Sequence, residues 1–213
     1  MNVQGYRWRD AARWERWSQR MIDGVTYSFE HLRDFDMTLS RPARNNLPPF
    51  CVSIRVVFDC HVVTEAAQPH AILERENRAP CWIDSGGREC LFSRARYLRS
   101  LGLPALIRGL LDGATRCYVA SYHNYMMCEQ VRIDDRLAYY QVYFDLYRPV
   151  PEPRLVMYVQ SAYVKDVPTA ASRRHVKPFA TLCAEKMGAV PSGDAASRPL
   201  PADRPGARKK RPR

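Results

Sequence analysis

The chain has 213 residues, 46% of them hydrophobic and 26% charged, with a formal net charge of +11 at pH 7. That length suits one domain with extensions, and the charge favours a polyanionic partner such as RNA, DNA, an acidic membrane surface or an acidic protein. No run approaches the roughly 20 apolar residues of a membrane span, and the opening MNVQGYRWRDAARWERWSQR lacks the apolar core of a signal peptide, so a cytoplasmic protein is expected.

In chain order, residues 6–23 read as an amphipathic helix. Trp14, Trp17 and Met21 recur at helical spacing, Arg13, Arg16 and Arg20 form a second stripe, and Gly24 can end the helix. Residues 25–49 are mixed, with a loop at RPARNNLPP. The run 50–65, FCVSIRVVFDCHVVTE, is the clearest strand, rich in β-branched residues and free of breakers. Alternation places Val52, Ile54, Val56, Phe58, Cys60 and Val62 on one face and Ser53, Arg55, Val57, Asp59, His61 and Val63 on the other.

Residues 66–80 read as loop, and CWID at 81–84 as a short strand before a turn. The segment 93–113 reads as two short helices, because Pro104 breaks one long helix and suits the first turn of a second. Three strands are expected at 116–127, 136–147 and 154–165, and their short links imply an antiparallel meander. A last short element is expected around Phe179 to Cys183.

From about residue 187 the composition is Pro, Ala, Gly and Arg, expected to be a disordered basic tail. Residues 192–213 hold seven Arg or Lys against two Asp, so about half of the net charge lies there and half in the body. The expected organisation is therefore an N-terminal helix (1–24), an α+β domain (25–186) and the tail (187–213). The expected fold is an antiparallel sheet of about four to five strands packed with N-terminal and inserted helices.

Seven cysteines, at 51, 60, 81, 90, 117, 128 and 183, form no CxxC pair, and several sit in hydrophobic runs. They read as buried, reduced thiols. No close Cys/His pair has zinc-ligand spacing, so no metal and no cofactor is expected. The chain also lacks a P-loop, GxGxxG, GxSxG and HExxH. These absences are compatible with metal-independent RNA cleavage, which needs only a base, an acid and cations for the phosphate.

His61, near the end of the clearest strand with Thr64 three residues on, is the candidate acid or base. Arg94, Arg96 and Lys165 are candidates to hold phosphate, and Tyr97 and Tyr163 to orient substrate. Ser161, Tyr163 and Lys165 share a strand face, but Ser161 and Lys165 stand roughly 13 Å apart, so Ser161 suits phosphate binding or packing rather than a Ser/Lys nucleophile. His123 and Asn124 form a further polar group. The tyrosines of the meander, Tyr139, Tyr143 and Tyr147 among them, suit either base stacking or ordinary strand packing.

The order of elements, with His61, Thr64, Arg94, Tyr97, Ser161 and Tyr163, resembles the barnase–EndoU–colicin–RelE group of ribonucleases over roughly residues 50–183. The resemblance implies helices before a small antiparallel sheet and a metal-independent ribonuclease with its catalytic groups on the sheet face. Two functions are carried forward. One is a nucleic-acid-directed protein that cleaves or binds RNA in preference to DNA, of toxin or mobile-element type. The other is a protein-interaction or inhibitor protein anchored by Trp8, Trp14 and Trp17.

Overall fold

The computed structural model describes residues 6–7, 16–43, 49–67, 82–84, 87–112, 115–121, 124–167 and 176–188. A seven-stranded sheet dominates them. It comprises β4 (Phe35–Arg41), β5 (Phe50–Phe58), β9 (Arg116–Ser121), β10 (Asn124–Ile133), β11 (Arg136–Tyr147), β12 (Leu155–Lys165) and β13 (Val176–Pro178). Their order is β13-β9-β10-β11-β12-β5-β4. A smaller sheet, in the order β1-β7-β8-β6, is made by β1 (Tyr6–Arg7), β6 (Thr64–Ala66), β7 (Trp82–Ile83) and β8 (Glu89–Phe92). The hairpin β2 (Arg20–Ile22) and β3 (Val25–Tyr27) stands apart from both.

The expected antiparallel sheet of four to five strands is thereby corrected. The sheet has seven strands and is mixed, because β12 pairs with β5 in parallel, Leu155 opposite Ile54 and Val159 opposite Phe58. Strand alternation says which face a residue occupies but not which distant strand lies beside it, and here the partners are about 100 residues apart. Antiparallel pairing does hold along β10, β11 and β12, where the links are short.

The N-terminal helix is also corrected where it falls on described residues. Residues 20–22 are a strand, turned back by Asp23 (φ 49°) and Gly24 (φ 75°). Two successive positive φ angles make the turn type that matches strand twist, and glycine suits its second position. Residues 8–15, with Trp8 and Trp14, lie outside the described residues, as do His123 and residues 189–213 of the tail.

The long run 50–65 is not one strand. It stops at Phe58, turns through a 3-10 turn at Cys60–Val62, and resumes as β6 in the other sheet. The Asp59 carboxylate causes the break by capping the turn and accepting a hydrogen bond from His61 N at 3.1 Å.

The helices are short: α1 (Arg94–Ser100), α2 (Leu103–Arg108) and α3 (Phe179–Lys186). Pro104 sits in the first turn of α2, where its missing N–H costs nothing. Leu103, Ile107 and Leu110 from the α2 region and Phe179 and Leu182 from α3 are buried. They join one core with the sheet residues Val52, Ile54, Val56, Phe58, Val142, Phe144, Leu155, Met157 and Val159.

A second set of rings, Trp17, Tyr27, Phe29, Trp82, Phe92 and Tyr97, joins the hairpin, the small sheet and α1. Trp17 is 1% exposed and its ring lies 6.3 Å from Phe29, so it serves the core rather than a partner-binding surface.

The β10–β11 link carries Asp134 (φ 47°) and Asp135 (φ 61°), again two left-handed positions. An L-residue with a side chain is costly there, and glycine is not. Asp135→Gly should therefore raise stability by about 0.5–1 kcal/mol, read as a higher urea midpoint at unchanged slope.

Candidate functional site

The capped turn after β5 brings Cys60 and His61 to the junction of the two sheets. Cys90 on β8 and Asp84, just after β7, approach from the small sheet. Cys90 Sγ stands 3.7 Å from His61 Nδ1, and His61 Nε2 is 3.2 Å from Asp84 Oδ2. Asp84 is itself fixed, accepting from the Arg88 backbone N at 2.8 Å and from Arg88 Nε at 2.7 Å. On the other side, Cys60 Sγ donates to Asp59 Oδ1 at 3.3 Å, and Tyr158 donates its hydroxyl to the second oxygen of Asp59. Both thiols are fully buried, while the His61 side chain keeps 23% of its surface.

The electrostatics follow from these contacts. The hydrogen bond shared with Cys60 lowers the Cys90 thiol to about 5, helped by His61 and opposed by burial. The same bond, with burial and Asp59, pushes Cys60 far above the ordinary thiol range. His61 is raised, chiefly by Cys90, with burial pulling the other way. The shared contacts thus push the two thiols in opposite directions, Cys90 down and Cys60 up, and push His61 up.

Arg96 connects this cluster to a cleft. Its Nη1 donates to the carbonyls of His61 and Thr64, at 2.9 and 2.7 Å. Its guanidinium lies 5.2 Å from the Tyr163 ring centre, and Lys165 Nζ lies 5.4 Å from the same ring. The cleft, about 540 Å³, is lined by Arg96, Arg99, Tyr140, Tyr163 and Glu65 over an apolar floor that includes Ile133 and Val164. Tyr140 is 4% exposed, and its hydroxyl finds no hydrogen-bond partner among the described residues. Burial raises its pKa against the opposing pull of Arg99 and Arg96, so it remains a donor. A buried donor left unpaired costs about 1–3 kcal/mol, a cost that a ligand acceptor in the cleft would remove.

The residues expected from the sequence thus separate. His61 lies in the thiol cluster. Arg96 and Tyr163 meet in the cleft, with Lys165 against Tyr163. Tyr97 does not join them: it lies outside the cleft lining, packs 5.4 Å from Phe29 and donates its hydroxyl to Ser28 O at 3.1 Å. Arg94 is exposed on α1 and Ser161 sits half-buried opposite Tyr143, both outside the cleft lining. Thr64 is buried and donates to Cys60 O at 3.0 Å, holding the turn.

Asp59, Cys60, Asp84 and Cys90 were not singled out as site residues by sequence reasoning. The only trace was the adjacency of Asp59, Cys60 and His61 at the end of a strand run. Cys90 is 29 positions from His61, and only the pairing of β6 with β8 brings them together.

These features define a mixed-sheet β protein with a buried Cys–His–Asp cluster beside a basic, tyrosine-lined cleft. The chain belongs to the YjaZ family, whose model matches residues 19–187. No curated protein and no solved structure matches it.

Proposed function

We propose that the chain is an RNA-binding protein that takes an unpaired nucleotide into the cleft between α1 and the ends of β11 and β12. The observation that carries this reading is the cleft's donor set. Two arginines and the unpartnered hydroxyl of Tyr140 converge there, beside the tyrosine ring of Tyr163. Guanidinium groups suit phosphate, a tyrosine ring suits a base, and the apolar floor suits its edge. The volume lies within the range of ligand sites, roughly 300–1,000 Å³. Glu65 offsets part of the positive charge, and its ion pair with Arg96 at 3.7 Å orients the guanidinium. The net charge of +11 supplies long-range attraction for a polyanion.

The reading is one of binding rather than cleavage. His61, the expected acid or base, is outside the cleft lining, and its two ring nitrogens face Cys90 and Asp84.

Anisotropy of a labelled single-stranded RNA tests it. Affinity should fall steeply with salt. Arg96 also holds two backbone carbonyls, so the informative variants are Arg99→Ala and Tyr140→Phe. Tyr140→Phe removes one hydroxyl that the fold does not use, and should weaken binding roughly 5- to 10-fold with an unchanged melting temperature. RNA binding indifferent to both variants, or no binding by the folded chain, would refute the proposal.

A further inference from the structure

A second site, independent of the RNA reading, lies at the sheet junction. Cys60, His61 and Cys90 each offer one ligand atom, and these atoms all lie within 4.8 Å of one another. In a tetrahedral site with metal–sulfur near 2.3 Å and metal–nitrogen near 2.0 Å, a sulfur and a nitrogen are roughly 3.6 Å apart. The Cys90 Sγ to His61 Nδ1 separation is 3.7 Å. The outer partner is also in place. A ligating histidine usually gives its other ring N–H to a carboxylate, and Asp84 Oδ2 stands 3.2 Å from His61 Nε2. Arg88 then fixes that carboxylate through its backbone N and Nε.

The burial pattern fits a metal better than a nucleophile. A catalytic thiolate must be reached by its substrate, but Cys90 is 0% exposed and does not line the cleft. Two buried cysteines and a histidine whose ligand atoms converge suit a metal instead.

We propose that Cys60, His61 and Cys90 form a binding site for a thiophilic transition-metal ion, zinc by the chemistry of the donors, with Asp84 orienting His61 from the second shell of contacts. Two sulfurs and one imidazole are the donor set of borderline and soft metals, and calcium or magnesium would need oxygens instead. Thiolate sulfurs and a neutral imidazole nitrogen are the binding forms, so zinc uptake releases the protons held by the thiols and by His61 Nδ1. Three protein ligands leave a fourth position for water or another ligand. The ion would join the turn after β5 to β8, tying the main sheet to the small one.

The test is zinc and cobalt(II) titration of the full chain, stripped of metal by a chelator and confirmed folded. About one equivalent should bind, and cobalt should show thiolate charge-transfer bands with the visible bands of a tetrahedral ion. X-ray absorption on the zinc-loaded wild-type chain should give two sulfur and at least one imidazole neighbour, a readout that needs no variant to fold. Asp84→Asn should bind zinc roughly 10- to 100-fold more weakly, whereas Cys51→Ser, an exposed thiol away from the site, should bind it normally. A folded chain that takes up no zinc, or an absorption edge with only nitrogen and oxygen neighbours, would overturn the site.

Discussion

Phe29→Ala should destabilise the protein by about 3–5 kcal/mol. Phe29 is 1% exposed and precedes a 3-10 turn at Glu30–Leu32. Its ring lies 6.3 Å from Trp17, 6.1 Å from Trp82, 6.0 Å from Phe92 and 5.4 Å from Tyr97. Several of these contacts are edge-to-face, the arrangement that aligns a ring's positive edge with its neighbour's negative face. The truncation therefore removes more than transfer free energy. It leaves a cavity bounded by rigid rings from four segments, which cannot all close on it at once. Those segments join the N-terminal region to the small sheet and α1. The loss should appear in urea unfolding as a lower midpoint. Leu98→Ala on α1, where the side chain is 53% exposed, is the control and should change stability by no more than about 0.5 kcal/mol. A loss below about 1 kcal/mol for Phe29→Ala would show that the ring cluster repacks.

Asp84→Ala should cost about 3 kcal/mol in metal-free buffer. The carboxylate is 1% exposed and accepts from a backbone N–H, a guanidinium and the His61 ring. Alanine removes the acceptor for the Arg88 N–H and leaves a half-buried imidazole with only the more distant Asp59 carboxylate, 3.9 Å from Nε2. The Arg88 side chain, 73% exposed, rehydrates at little cost. Most of the penalty therefore belongs to the backbone N–H and to His61. Asp84→Asn keeps an acceptor for the backbone N–H and should lose about 1 kcal/mol. Equal losses in the two variants, measured by the same denaturation, would show that charge rather than hydrogen bonding carries the effect.

The two substitutions also separate what was visible in the sequence from what was not. Phe29 lies in a stretch without periodicity, so nothing marked it as the centre of a ring cluster. Tyr97 was noticed for its chemistry, yet its ring closes that cluster. A tyrosine's hydroxyl has the same appearance in a sequence whether it meets a ligand or, as here, the carbonyl of Ser28. Arg96 was noticed as a candidate to hold phosphate and Tyr163 to orient substrate, and both line the cleft. Arg99 and Tyr140, which complete it, belong to elements that were read correctly but whose meeting depends on how α1 sits on the sheet.

The sequence alone determined the elements with strong local signals. The alternation of Val52, Ile54, Val56 and Phe58 marked a strand and its buried face. Pro104 divided two helices, and the paired aspartates at 134 and 135 marked a tight turn. These are short-range effects of side-chain period and backbone sterics. Tertiary structure decided the rest. It set the parallel pairing of β12 with β5, the transfer of the chain to a second sheet after Asp59, and the convergence of Cys60, His61, Asp84 and Cys90. Each of these joins segments that carry no record of one another, because a strand's pattern specifies a face to be buried and leaves open what will bury it.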